Sequence, residues 1–207
     1  MEAASRPTES STTHRLLDAV AAGETDALDE LLARHRTYVR RVIDVRLEAP
    51  LQARVDPSDI VQETLVVASR RLDDFLERRP TSFRIWLRQH ALERLIDARR
   101  QHLRLKRDAR RDMQVTDASS MALATGLLGN RPSEHVMRRE LIEQIRDAML
   151  ALNEQDREIL LLRHGEQLTS GECAEALSIS VSAASKRYGR AVGRLSVELR
   201  RLGFRND

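Results

Sequence analysis

TSGECAEALSISVSAASKRYGRAVGRLSVEL, residues 169–199, decides how this chain folds. Thr169 or Ser170 is placed to cap a short amphipathic helix over 170–177. Ser178, Ile179 and Ser180 then form a three-residue turn whose Ile plugs the space between two helices. The second helix, expected over 181–202, carries Ala184, Tyr188, Ala191 and Leu195 on one face. Its other face offers Ser182, Ser185, Lys186, Arg187, Arg190 and Arg194. This is the pattern of a helix-turn-helix, in which small residues let two helices pack closely and the second enters the major groove. An ordinary helical hairpin shares the spacing, but not the unbalanced positive outer face. Polar side chains near the second helix's start can reach base edges, and the later Arg residues can reach phosphates.

The rest of the chain agrees with a helical reading. Among 207 residues there are only 8 Gly and 5 Pro beside abundant Leu, Ala, Arg and Glu, which excludes a sandwich, barrel or collagen-like chain. Three percent aromatic residues cannot fill one large aromatic core, so several small helical cores are expected. A single Cys, Cys173, excludes a disulfide framework and any multi-cysteine zinc site; it reads as a small buried hydrophobe. The six His residues have no metal-ligand spacing. No apolar run is long enough for a membrane span, and residues 1–13, rich in Ser and Thr, hold no secretory core. The expectation is a cytoplasmic all-α protein, a monomer when free, without cofactor, metal or membrane contact.

Charge alternates along the chain. Of 35 basic residues only Lys106 and Lys186 are Lys. Residues 14–77 hold 9 basic and 13 acidic residues, and 84–111 hold 10 and 3. Residues 134–175 hold 5 and 10, and 181–205 hold 7 and 1. Two basic stretches, each after an acidic one, point to two anion-binding surfaces; solvated helix faces are the plainer alternative.

Apolar spacing predicts a short and then a long helix broken at Gly23, after a disordered tail over 1–13. Asp56 before Pro57 marks a further helix start, with Ile60, Val61, Leu65, Ala68 and Leu72 on one face as far as Phe75 or Leu76. Ser82 is a candidate cap for a long helix over 83–111, apolar early and basic late. Residues 113–133, rich in Thr, Ser, Ala and Gly, read as a linker. Helical spacing resumes from Glu134, and Asn153 is placed to cap a helix ending near Gly165. Two small helical domains, 14–112 and 134–207, joined by a flexible linker, are therefore expected.

Phe83 and Trp86 open the basic stretch of Arg84, Arg88, Arg94, Arg99, Arg100, Arg104, Lys106, Arg107, Arg110 and Arg111. Rings beside a cationic groove suit single-stranded nucleic acid, whose unstacked bases rest on aromatic faces. A core position for both rings is the alternative.

Three segments carry a family resemblance. Asp59-Ile60-Val61-Gln62-Glu63-Thr64-Leu65 resembles the Asp-Leu-Val-Gln-Glu helix of bacterial sigma factors of the sigma-70 superfamily. Phe83 to Leu87, with Ala91, Asp97 and Arg100, resembles the promoter-melting helix that follows. The stretch 152–163 is similar to the opening of the C-terminal promoter-binding domain, which the helix-turn-helix completes. The resemblance spans residues 14–202 and is to the small extracytoplasmic-function class. It implies a transcription initiation factor, not an enzyme, that takes core RNA polymerase to a subset of promoters. It implies a region 2-like domain over 14–112 and a region 4-like domain over 134–207. Asp59, Ile60, Gln62 and Glu63 would dock on the clamp helices of the polymerase large subunit. Arg78, Arg79, Ser82, Phe83, Trp86, Arg88, Arg99, Arg100 and Arg104 would read and open the −10 element. Ser182, Ser185, Lys186, Arg187, Arg190 and Arg194 would read the −35 duplex, and an anti-sigma protein is an expected partner.

The chain departs from that family at several points. Ser178 stands where Gly is usual, Ala184 replaces a usual Val, and Gly189 and Gly193 weaken the second helix by about 1 kcal/mol each relative to Ala. His90 takes a usually apolar position and Glu93 one where Asn is common. A helix-turn-helix regulator acting without polymerase is the competing reading; the 59–63 string and the basic-aromatic block argue against it. No Gly-rich phosphate loop, catalytic carboxylate pair or nucleophile–base motif supports an enzyme.

Overall fold

The structure, a computed structural model, describes residues 10–47, 49–52, 54–103 and 135–203, and every regular element among them is helical. The first six helices are α1 (Ser11–Ala21), α2 (Thr25–Arg46), α3 (Ala49–Gln52), α4 (Pro57–Arg70), α5 (Leu72–Arg78) and α6 (Phe83–Leu103). Then come α7 (His135–Ala151), α8 (Glu154–Leu160), α9 (Ser170–Ala176) and α10 (Val181–Arg201). A π-helical turn, Leu161–Gly165, continues α8. The expected linker 113–133 and the part of the basic stretch over 104–111, Arg104 included, lie outside the described residues.

Side-chain caps set five of the starts. The Asp56 carboxylate accepts from Ser58 N at 2.7 Å, with Pro57 in the first turn of α4. Asn153 caps α8 through Asp156 N at 2.9 Å. Gly23 takes φ +89 between α1 and α2, a left-handed turn that a side chain would strain. Two expectations need correction. Residues 10–13 are not part of a disordered tail, because Ser10 caps α1 and Thr13 is already buried against His35. The helix from Pro57 does not run unbroken to Phe75 or Leu76: it stops at Arg70, and α5 restarts at Leu72.

In the first group α2 packs on α1, α4 and α6, burying Leu31, Val39, Val42, Ile43, Val61 and Leu65. In the second, α10 packs on α7, α8 and α9 over Met149, Ile159, Leu160, Ala184 and Ala191. The two groups also pack on each other, and buried residues run from one into the other. The seam lies between α2 and α6 on one side and the π-helical turn and α9 on the other. Gly165 permits that approach: a Cβ there would sit 2.8 Å from Val45 Cγ1 and 3.1 Å from Leu161 Cδ1.

Candidate nucleic-acid and polymerase interfaces

The helix-turn-helix forms as the sequence predicts. Thr169 and Glu172 make a capping box: Glu172 N donates to Thr169 Oγ1 at 3.2 Å, and Thr169 N donates to Glu172 Oε2 at 2.7 Å. Ser178 takes the left-handed conformation at φ +53, and Ile179 N returns to Ala174 O at 3.0 Å. Ser180 caps α10 through Ala183 N. Ala184, Ala191 and Leu195 are buried, while Tyr188 packs on them and meets His164 Nε2 at 3.1 Å. Ser182, Ser185, Lys186 and Arg190 are exposed away from the buried face, and Arg187 is half-exposed on its flank. Arg194 differs: although 55% exposed, its guanidinium pairs with the buried Asp156 carboxylate of α8. Cys173 is fully buried, and burial pushes its thiol up to about 12, which leaves it inert.

On α4, Asp59, Gln62 and Glu63 share one exposed face, as residues three and four apart on a helix do. Arg36 of α2 donates to Gln62 Oε1 at 3.1 Å and Arg40 to Ser58 Oγ at 2.9 Å, so this surface mixes α2 cations with α4 acids. A cleft of about 490 Å³ separates Asp59 and Glu63 from Arg94, Asp97 and Arg100 of α6. Ile60 does not belong to this surface. It is 2% exposed and forms part of the core, because it occupies the helix side opposite the polar face.

The third predicted set divides. Arg78 is exposed. Arg79, left-handed at φ +37, ends α5 and bonds Asp18 Oδ1 at 2.9 Å. Arg100 is exposed and Arg99 half-exposed further along α6. Ser82, Phe83, Trp86 and Arg88, in contrast, are buried. Phe83 packs with Phe75 and Trp86 at centroid distances of 5.5 Å, and His90 lies edge-on to Trp86 at 4.6 Å. Neither ring is a free platform for a base in this structure; both are core, since α6 turns them toward α5. His90 Nδ1 lies 3.0 Å from Glu93 Oε2, so Glu93 is partnered within its own helix.

Ser82 and Arg88 are covered by residues that sequence reasoning did not single out. Ser82 donates to Glu175 of α9 from its hydroxyl at 2.6 Å and its amide at 3.1 Å. Arg84, stacked 4.2 Å over the Tyr38 ring, donates to Glu172 Oε1 at 2.9 Å. Deeper in the seam, Arg46 and Arg88 grip Glu158 and Glu166. Arg88 Nε donates to Glu166 Oε2 at 2.6 Å, Arg46 Nε donates to Glu166 Oε1 at 2.7 Å, and Arg46 Nη2 to Glu158 Oε1 at 2.7 Å. Burial pushes the Glu166 carboxyl up, but the two guanidiniums outweigh it and hold it below the ordinary carboxylate value. The opposition of the charge blocks 84–111 and 134–175 signalled the pairing of Arg84 and Arg88, but nothing in the net-acidic block 14–77 signalled that of Arg46.

Comparison with known proteins fits these surfaces. Residues 142–195, which hold the helix-turn-helix, match the family described as Sigma-70, region 4. Over 188 residues the chain is 30% identical to the RNA polymerase sigma factor CnrH of Cupriavidus metallidurans, covering 89% of this chain and 93% of that one. The chain belongs to the sigma-70 family. It resembles the sigma factor NccH of Alcaligenes xylosoxydans xylosoxydans at 28% identity, over 93% of this chain and 97% of that protein. A solved structure of CnrH in complex with the cytosolic domain of CnrY matches with a TM-score of 0.53 at 26% identity, covering 91% of this chain and 97% of that one. The protein is thus a sigma factor of the extracytoplasmic-function class, a transcription initiation factor, and the reading as a free-standing regulator is not favoured. No helix among its described residues is long and apolar enough to cross a membrane.

Proposed function

We propose that this sigma factor divides promoter recognition between its two helical groups and performs no chemistry itself. The observation that carries the reading is α10, with an exposed basic face on a capped, tightly packed helix-turn-helix. Ser182, Ser185 and Lys186, near its N-terminus, read −35 base edges, while Arg187 and Arg190 hold phosphates. The α4 face of Asp59, Gln62 and Glu63 docks on the clamp helices of the polymerase large subunit, and the adjoining Arg36 extends it. Arg78, Arg99 and Arg100 attract the strands of the −10 element, and Ser82 and Arg88 join them once uncovered. The domains 14–112 and 134–207 are the units of this division. The structure of CnrH with the cytosolic domain of CnrY supports extending to this chain a protein partner that inhibits it.

The test pairs capture of core RNA polymerase with transcription from a genomic promoter library. Asp59→Arg combined with Gln62→Ala abolishes polymerase capture while leaving helix content unchanged, and the wild type generates new start sites. Undiminished capture by the double variant would remove the α4 assignment. Absence of capture by the wild type, with tight duplex binding, would return the chain to the regulator class.

A further inference from the structure

A recess of about 640 Å³ lies between α2 and α9, and neither the promoter nor the polymerase assignment uses it. Arg34, Thr37, Tyr38 and Arg41 fall at positions i, i+3, i+4 and i+7 of α2, so one stripe of that helix lines the recess. Arg84 of α6 and Glu172 of α9 line it too. Arg84 is already engaged: it stacks on the Tyr38 ring and donates to Glu172 Oε1 and the Gln167 carbonyl. Arg34 and Arg41 differ. Neither meets a carboxylate or a hydrogen-bond acceptor among the described residues, although Arg41 is half-buried. Three guanidiniums against the one Glu172 carboxylate leave two positive charges, and His35, held neutral by burial, adds none.

The Tyr38 hydroxyl stands between the two free cations on the same stripe. Tyr38 is 6% exposed, and its hydroxyl is buried without a hydrogen-bond partner. Buried polar groups are nearly always bonded, so an unmet hydroxyl beside uncompensated cations marks the place of an anionic acceptor. We propose that this recess binds a small diphosphate, with Arg34 and Arg41 pairing to its phosphoryl oxygens and the Tyr38 hydroxyl donating between them. Guanidiniums suit phosphoryl groups because their forked donors match two oxygens at once. Seven residues separate the two Arg by about 10 Å along the helix axis, so two linked phosphoryl groups fit the pair better than one. The volume lies within the roughly 300–1,000 Å³ of small-molecule sites and leaves room for an organic body on the diphosphate. A nucleic-acid strand fits less well, because Glu172 repels a backbone that continues past the site and the hydroxyl lies below the surface.

The test is titration calorimetry on the full chain in magnesium-free buffer at fixed ionic strength, with inorganic pyrophosphate, orthophosphate, sulfate, ADP and GDP as probes. The expected result is pyrophosphate binding at least about tenfold tighter than orthophosphate or sulfate, weakened at least about tenfold by Arg34→Gln with Arg41→Gln and also by Tyr38→Phe. Arg70→Gln with Arg71→Gln removes the same charge from exposed positions on the other side of α4's end and leaves binding unchanged. Tyr38→Phe keeps the ring under Arg84 and deletes only a hydroxyl that the folded chain leaves unpaired, so urea unfolding shows no loss of stability and any lost affinity belongs to the site. ADP or GDP binding tighter than pyrophosphate makes the occupant an organic diphosphate; equal or weaker binding makes it free pyrophosphate. Absence of diphosphate binding at millimolar concentration overturns the site. Affinity that survives both site variants, or that falls equally in the control pair, overturns it as well. Displacement of bound pyrophosphate by a single-stranded oligonucleotide gives the recess to the promoter strand instead.

Discussion

Glu166 is ionised without any exposure because Arg46 and Arg88 face both of its oxygens. Arg88→Ala leaves that carboxylate underpaired in a low-dielectric seam, and the expected loss is about 3–5 kcal/mol in urea unfolding. His35 gives a residue-scale test with a definite sign. Burial first, and then Arg84 and Arg34, lower its ring pKa to about 4, and Thr13 Oγ1 lies 3.2 Å from its Nε2. The folded state thus refuses a proton that the unfolded chain accepts near 6.5, so stability falls as pH drops through that window and levels off below about 4. Between pH 7 and pH 5 the wild type should lose on the order of 2 kcal/mol more than His35→Gln, read by urea unfolding at each pH. Glu166 acts with the same sign in a more acid window, because its lowered pKa withdraws stability only as pH falls below the ordinary carboxylate range. At this scale the candidate sites were half legible. Helical periodicity alone exposes Asp59, Gln62, Lys186 and Arg190, and it buries Ile60 as firmly. Counting Ile60 with Asp59, Gln62 and Glu63, and Phe83 and Trp86 with the −10 contacts, put the family resemblance above the apolar face and the core alternative that the spacing already offered for them.

Capping and turn chemistry act locally, so the helices bounded by caps could be read directly. Asn153, Thr169 and Ser180 each cap the helix they precede, and the left-handed Ser178 sits at the turn position where a non-glycine is unusual. The break between α4 and α5 was invisible because no Gly or Pro marks it; Val61, Leu65, Ala68, Leu72 and Phe75 keep one helical period straight through Arg71. Within α10, Gly189 and Gly193 both have open space for a side chain, since a Cβ at either position would meet no heavy atom within 4 Å. Replacing each with Ala should raise stability by about 1 kcal/mol, additive across the pair, by thermal or urea unfolding. Thr169→Ala removes the reciprocal cap of α9 and should cost about 1 kcal/mol in the same measurement. If the glycine substitutions stabilise the chain yet weaken duplex binding, the α10 backbone approaches DNA closely at those turns.

Two electrostatic contacts of one molecule should differ in their response to salt, one insensitive and the other weakened. The seam holds its charges out of water, and buried pairs are screened far less than exposed ones. The α10 face keeps Lys186 and Arg190 fully in solvent with Arg187 beside them, so each phosphate it meets releases condensed counterions. Pairing of 84–111 with 134–175 links residues 70 to 88 positions apart, beyond any local period, which is why block composition hinted at it while spacing could not. Two phosphate contacts, Arg187 and Arg190, predict a slope of about −2 for log affinity against log salt in duplex binding, measured by anisotropy with a −35 duplex selected from the promoter library. Small-angle scattering of the free chain over the same salt range should give a constant radius of gyration. A radius that grows with salt would mean that the outer Arg84–Glu172 pair, rather than the Arg46, Arg88, Glu158 and Glu166 cluster, holds the two groups together. A flat slope for duplex binding would mean that the basic face of α10 does not meet phosphates.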